Sequence, residues 1–588
     1  MNRITATGLC LMIALMLALP VRADGARTAV PLSFDDYYTY EEVGRALEAL
    51  QQAYPRLTRL DVAGHSDEGR AIWCLTVNNP ATGAELEKPA VYVDGNIHGN
   101  EIQGGEVCLY LLNELLTRYG KNPEITRLLD TRCFYVVPVV NPDGRHHFFA
   151  DPGSHSNNRS LRYPLDDDRD GLVDEDYPDD LDGDGNICTM RRRDPFGTHR
   201  THPEDPRLMV RVKPGEKAEW ALLGSEGIDN DGDGRVNEDA EGYIDPNRNW
   251  SYDWMPGYVQ SGSGPYPFAG RGLRELAAFI AARPNINMAW TFHNFGGMYL
   301  RGPSAKSQGE YPPEDVAVYD YIGKQAEKIT PGYRYMLSWR DLYETYGDSG
   351  EWLAMTQGAY VLVGELYASE EENFNKPSAE RKVDPDYESG AMFGDDAART
   401  LERLRFNDNL AGGELYQAWR AFKHPQYGDI EIGGWVKMST RLPPPFLLRQ
   451  MLHRNAAAVL FSARQTPEVG LEIAAVEPAG GGLHRVTVRL SNPAAMPSMT
   501  AHARRVELYP QDTLTLASSG VKVIAGGRVT NPASGEVDFV DHRPEVQFLT
   551  VPGFSRVEHQ FLVSGKGQAV VTYTSRHAGV RRANVQIP

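Results

Sequence analysis

Three short apolar runs frame this chain. Ala90-Val91-Tyr92-Val93-Asp94, Met288-Ala289-Trp290-Thr291-Phe292 and Tyr360-Val361-Leu362-Val363-Gly364 are nearly continuous in apolar and β-branched residues, the pattern of strands buried on both faces. Apolar positions at helical spacing over 102–116, and again at Leu452, Ala456 and Leu460, predict helices packed on such a sheet. From Thr466 the pattern changes. Short alternating runs at 484–490, 545–549 and 568–573 are separated by Gly, Pro and Asn, which signals a β-sandwich of roughly 120 residues. The chain therefore reads as an α/β domain over 24–465 followed by a smaller all-β sandwich domain over 466–588. A length of 588 residues agrees with more than one domain.

The amino terminus follows another pattern. Arg3, an apolar run from Leu9 to Leu19 and the ending Val21-Arg22-Ala23 predict a signal peptide over 1–23, hence a secreted or periplasmic protein. Cys10 lies inside that apolar run, which argues against a lipid anchor. No later run approaches the length of a membrane span. Cys74, Cys108, Cys133 and Cys188 remain after cleavage, and their pairing is open. A formal net charge of −19 argues against nucleic acid as a partner.

The acidity is concentrated. Asp166, Asp168, Asp170 and Gly171 repeat the arrangement of Asp229, Asp231, Asp233 and Gly234. Acidic side chains at positions one, three and five with glycine at six wrap oxygen ligands around a hard cation. Both copies lack the acidic residue at position twelve, where Tyr177 and Ala240 stand, so shortened structural calcium loops are expected. Asp180, Asp182, Asp184 and Gly185 form a weaker third copy. A solvated acidic surface is the plainer alternative, but carboxylates at this density repel one another unless a cation intervenes.

Candidate chemistry sits where the apolar runs end. His98 and Glu101, just beyond the first run and three residues apart, can reach one divalent ion if Glu101 opens a helix. The carboxyl edge of an α/β sheet is also where such folds hold ligands. A catalytic zinc takes a third protein ligand. His293 ends the second run, before Gly296-Gly297. Glu365 ends the third, and a carboxylate there is costly unless paired or functional; a hydrolase needs such a base.

Six separated motifs then fall in one order: HGNE at His98, NPDG at Asn141, MRRRDP at Met190, DPNRNW at Asp245, TFH ending at His293 and GEL at Gly364. Together, over about 35–464, they resemble the zinc metallocarboxypeptidases of the carboxypeptidase A and B type, here of a secreted bacterial kind with a C-terminal β domain. The resemblance implies a mixed central sheet flanked by helices, one zinc per chain held by His98, Glu101 and His293, and Glu365 as general base. It implies Arg191 as the group that polarises the scissile carbonyl, Asn247 and Arg248 as the grip on the terminal carboxylate, and Asp245 as the carboxylate orienting His98. The closing tyrosine falls on Tyr343, with Tyr346 as competitor; Tyr343 needs no gap in the spacing. The floor of the side-chain pocket falls near Gly350, with Asp348 and Glu351 beside it, leaving the preferred side chain open.

The chain departs from the family in three long stretches, 145–188, 194–241 and 368–426, of which the first two carry the acidic loops and are expected to rim the cleft. No inhibitory pro-segment fits between Ala23 and the catalytic region. The expected function is an exported zinc carboxypeptidase acting on peptide or protein C-termini. A hydrolase of peptidoglycan stem peptides, with cell-wall peptides as partners, is the alternative enzyme; a non-catalytic calcium-dependent binding protein is the alternative of another class.

Overall fold

A computed structural model of the chain describes residue 30 and residues 32–588 apart from 155–157, 167, 168, 170, 240, 241, 369–396 and 440. The expected signal segment 1–23, with Asp168 and Asp170 of the first acidic loop, lies outside the described residues.

The three apolar runs become neighbouring strands. Ala90–Gly95, Ile286–Asn294 and Tyr360–Leu366 lie side by side and parallel, with Cys133–Val137 parallel on the outer side of Ala90–Gly95. Thr58–His65 and Ala71–Val77 extend one edge of this eight-stranded sheet; Met298–Arg301 and Arg334–Leu337 extend the other. Antiparallel pairs occur on both sides of the parallel centre, so the sheet is mixed, as expected. Every residue of Ala90–Gly95 and Ile286–Asn294 is buried, because helices cover both faces and leave no solvated side.

Helix Gln103–Arg118 turns Val107, Leu111 and Leu115 into the core, and helix Pro445–Arg464 adds Leu448, Leu452 and Ala456. Trp290 is wholly buried, and its indole N–H donates to Ser462 Oγ at 2.8 Å, which removes the cost of an unmatched donor. The helix after the first strand packs with almost no gap. A Cβ on Gly95 would stand 2.5 Å from the Gly104 carbonyl carbon, so this strand-to-helix contact requires glycine at position 95.

That helix begins at Gln103, not at Glu101 as the spacing suggested. Glu101 sits in the preceding turn, its N–H donating to the His98 carbonyl at 3.1 Å. The turn, rather than a helix face, brings the two side chains together.

Strands from the second and third long departures join their flanking segments in one place. Thr189–Arg193, His199–Thr201, Met209–Arg211, Trp220–Ser225, Tyr416–His424 and Gly428–Trp435 form a separate six-stranded antiparallel sheet. Its small core gathers Cys188, Met190, Ile430 and Ile432. Helix Ala397–Asn409 is the described helical part of the third stretch.

Beyond the last helix, five strands in one sheet and four in another, all antiparallel, share a core of Val486, Val488, Leu514, Phe561, Val571 and Tyr573. Strand Ser555–Gly565 alternates buried and accessible positions along most of its length, as a sandwich strand must. Polar contacts tie this unit to the α/β part. Arg132, 1% exposed, donates to Thr466 O at 3.1 Å, and Asp315 accepts from the N–H groups of Ala501 and His502 at 2.9 and 2.7 Å. Cys74, Cys108, Cys133 and Cys188 are buried and unpaired. Among the described residues no helix is long and apolar enough to cross a membrane.

Candidate active site

Parallel register places the site. Gly95 pairs with Phe292, and His293 pairs with Glu365, so the HGNE turn, His293 and Glu365 leave the sheet at one carboxyl edge. There His98 Nδ1 lies 2.9 Å from Glu101 Oε1 and 3.2 Å from His293 Nδ1, and His293 Nδ1 lies 3.0 Å from Glu101 Oε2. All three residues are at most 2% exposed.

This donor set fits a zinc ion. Asp245 Oδ1 lies 3.1 Å from His98 Nε2, so a proton on Nε2 leaves the Nδ1 lone pair facing the cluster. Two facing imidazole nitrogens beside a carboxylate form a set of acceptors that calls for a cation. Ligands bound at about 2 Å around a tetrahedral ion are separated by about 3.3 Å, close to the spacings found. Electrostatics agrees: burial opposes ionisation of Glu101, yet the two histidines hold its carboxyl well below the usual range. Burial likewise opposes ionisation of Asp245, and Arg159, Arg248 and His98 outweigh it.

A cleft of about 280 Å³ opens over these groups. Glu365 lines it, and burial pushes its carboxyl up to about 7, with His293 acting against that rise and Glu101 adding to it. Asn247, Arg248 and Tyr343 line it too. Asn247 Oδ1 accepts from the Ser349 N–H and hydroxyl at 3.0 Å each, fixing the segment against helix Ser349–Gln357. Tyr343 is 42% exposed at the cleft, whereas Tyr346 is not among its lining residues.

Arg191 is the exception. It lies on strand Thr189–Arg193 of the second sheet as register partner of Glu431, with Nε and Nη2 at 2.8 and 2.5 Å from Glu431 Oε2. Its guanidinium is packed between the rings of Trp220 and Trp419, at 3.9 and 4.0 Å from their centroids. A cation stacked on both faces and ion-paired at its edge offers no fork to a substrate. It does not line the cleft, and the assignment from the MRRRDP motif is corrected on that ground.

Arg159 lines the cleft along with Arg248 and Arg441, and it is the one that reaches the ligand cluster. Its Nε donates to Asp245 Oδ2 at 2.7 Å, and its Nη1 lies 3.4 Å from Glu101 Oε1. The backbone of Asn158 and Arg159 accepts from the N–H groups of Asn100 and Gly99 at 2.6 and 3.4 Å, docking this segment on the HGNE turn. Nothing in the sequence marks Arg159: its partner Asp245 is 86 residues away.

The acidic loops group differently from their motifs. Asp229, Asp231 and Asp233 lie within reach of one ion, but so do Asp176, Asp231 and Glu238, and Asp180, Asp182 and Glu226. The Asp229 carboxylate accepts from the N–H groups of Gly232 and Gly234 at 2.6 and 3.0 Å. Asp166 Oδ1 accepts from Arg169 N–H at 2.6 Å. Asp184 of the third copy instead pairs with Arg420 at 2.7 Å.

Residues 43–190 match the family model described as zinc carboxypeptidase, and residues 468–586 match one described only as a domain of unknown function. Over 43–190 the chain is similar to the zinc carboxypeptidase family. Carboxypeptidase D of Homo sapiens is 38% identical over 109 residues, 18% of this chain and 8% of that protein. The zinc carboxypeptidase of Saccharothrix mutabilis subsp. capreolus is 33% identical over 135 residues, 23% of this chain and 30% of that one. The chain thus spans less than a third of either relative. Carboxypeptidase A from Helicoverpa armigera superposes with a TM-score of 0.40 at 20% identity, over 66% of this chain and 78% of that one. The zinc carboxypeptidase match holds His98, Glu101 and Arg159, while Asn247, Arg248, His293 and Glu365 lie beyond it and join the site through the fold.

Proposed function

We propose that this chain is an exported zinc carboxypeptidase that removes residues from the C-termini of peptides. The observation that carries the reading is the convergence of His98, Glu101, His293, Glu365, Arg159, Asn247 and Arg248 on one cleft at the sheet edge. His98, Glu101 and His293 would hold the zinc, which would supply Lewis acidity for the hydrolysis. Glu365 accepts the water's proton and passes it to the leaving amine, a task suited to a carboxyl pushed up to about 7 by burial. Arg159 supplies the positive charge for the developing oxyanion, in place of Arg191. Arg248 and Asn247 hold the substrate's terminal carboxylate, and Tyr343 covers it. Export is supported by the charged, apolar and small-residue order of 1–23.

Calcium has a structural part in this reading. Asp229, Asp231 and Asp233 would hold one ion, and Asp176 could join Asp231 and Glu238 across the two loops to hold another. Oxygen-only donors of net negative charge suit a hard cation.

The test uses paired peptides that differ only in a free or an amidated C-terminus. The free acid should be cleaved far faster, because amidation removes the charge that Arg248 holds. Equal rates would make the enzyme an endopeptidase or amidase.

A further inference from the structure

The lining of the cleft, among the described residues, includes none of the NPDG motif, yet that motif is built against the HGNE turn. Asn141 N–H donates to the Asn96 carbonyl at 3.0 Å, and Asn141 Oδ1 caps helix Pro142–Ala150 by accepting from Gly144 N–H at 2.9 Å. Gly144 then faces Gly99 so closely that a Cβ on it would stand 2.6 Å from the Gly99 Cα, a contact that requires glycine.

The next residue, Arg145, carries the contact inward. It is wholly buried. Its Nε and Nη2 meet the Tyr38 carbonyl at 3.1 and 2.6 Å, Nη2 also reaches Glu106 Oε1 at 2.8 Å, and Nη1 donates to the Ile102 carbonyl and to Asn96 Oδ1 at 2.8 and 3.1 Å. Every N–H of the guanidinium is thereby used, so it is closed to a ligand.

Asn96 stands between Arg145 and the turn, wholly buried and in the left-handed region at φ 57°. A guanidinium only donates, so the Asn96 oxygen must face it and the amide NH₂ must point away. That NH₂ donates to the carbonyls of His98 and Gly99 at 2.7 and 3.1 Å. The His98 carbonyl also accepts the Glu101 N–H at 3.1 Å, so one oxygen joins Asn96 to two of the residues in the metal cluster.

Stability alone does not account for this relay. A buried ion pair such as Arg145 and Glu106 gains little over apolar side chains of the same volume. An apolar pair would not fix the sense of the Asn96 amide, and with it the two carbonyls of the turn.

We propose that Arg145 and Asn96 are positioning residues for the metal: Arg145, clamped by Glu106, orients the Asn96 amide, and Asn96 holds the HGNE turn in the conformation that aims His98 Nδ1 and Glu101 at one point. Both act through the backbone of the turn. The inference rests on the reading of His98, Glu101 and His293 as zinc ligands.

The test takes the full-length mature protein, freed of metal and titrated with zinc against a chromogenic chelator. Asn96→Asp suits the same left-handed backbone and keeps an acceptor for Arg145, but sets an oxygen against the His98 and Gly99 carbonyls. Its zinc affinity should fall by about 10- to 100-fold. Arg145→Lys keeps a charge opposite Glu106 without the planar fork, and should weaken zinc binding in the same direction. Thermal midpoints of the metal-free and zinc-loaded forms separate positioning from support, since a residue that only supports the fold lowers both equally, whereas lost positioning shrinks the rise that zinc produces. Unchanged zinc affinity in both variants, or an equal fall of both midpoints, would overturn the inference and leave the zinc ligands standing. A wild type that binds no zinc would overturn the ligand reading and the inference with it. If Asn96→Asp does not fold, Arg145→Lys decides by the same titration.

Discussion

Glu365 and His293 are register partners on adjacent parallel strands. A carboxylate and an imidazole more than seventy positions apart in the chain therefore rise from the sheet at the same level, the distance between them set by backbone hydrogen bonding. The ligand and base proposed for this site, placed this way, need no loop to position them, and rigid placement is what proton transfer at a metal site demands.

Glu365→Gln tests that relationship. The variant keeps the shape of the side chain and should bind zinc as the wild type does, while turnover falls on the order of 10²- to 10⁴-fold. Elemental analysis and peptide hydrolysis on one preparation check both halves; full turnover with zinc bound would remove Glu365 from its role.

Arg159 and Arg191 make opposite predictions. Arg159→Gln should lower kcat on the order of 10²- to 10³-fold, the cost of one oxyanion donor, with zinc content measured alongside because Arg159 also touches Asp245. Arg191→Gln should chiefly lower the thermal midpoint, because it unpairs Glu431 and empties the slot between Trp220 and Trp419. A larger loss of kcat in Arg191→Gln than in Arg159→Gln would return the oxyanion role to the MRRRDP motif.

Calcium should stabilise the zinc-loaded protein by mass action, by about 2.7 kcal/mol per site when free ion is a hundredfold above its dissociation constant. Asp231 belongs to two of the acidic groups, so Asp231→Ala should abolish most of the rise in thermal midpoint seen in millimolar calcium. Scanning calorimetry against magnesium at equal ionic strength measures it, and an unchanged wild-type midpoint would make the loops a solvated acidic surface.

Glu351 carries a pH dependence. Burial first, then Asp348, raises its carboxyl in the folded chain from 4.5 to about 8. The folded state thus holds a proton that the unfolded state releases, and the resulting stabilisation is complete below about pH 4.5 and lost as pH rises through 8. Thermal midpoints of the wild type should therefore fall more steeply between pH 5 and 8 than those of Glu351→Gln. Parallel profiles would mean that Glu351 does not hold that proton.

The sequence by itself determined the three buried strands, since unbroken apolar runs such as 288–292 have few other places to go, and it located His98, His293 and Glu365 at their ends. It also marked the change to alternating strands after Thr466, because period-two patterning is a local property. Tertiary structure decided the rest. Glu101 joins His98 through a turn, although a helix was the simpler expectation. Two distant stretches, 189–225 and 416–435, fold into one sheet that takes Arg191 away from the cleft, and Asn158 and Arg159 dock on the HGNE turn through backbone contacts that no motif encodes. Asp231 shares one ion-sized space with Asp176 and Glu238 from beyond its own motif. Local patterns report what a residue's neighbours in the chain require, whereas guanidinium partners and ligand groups are chosen by long-range contacts, and those exist only once the chain has folded.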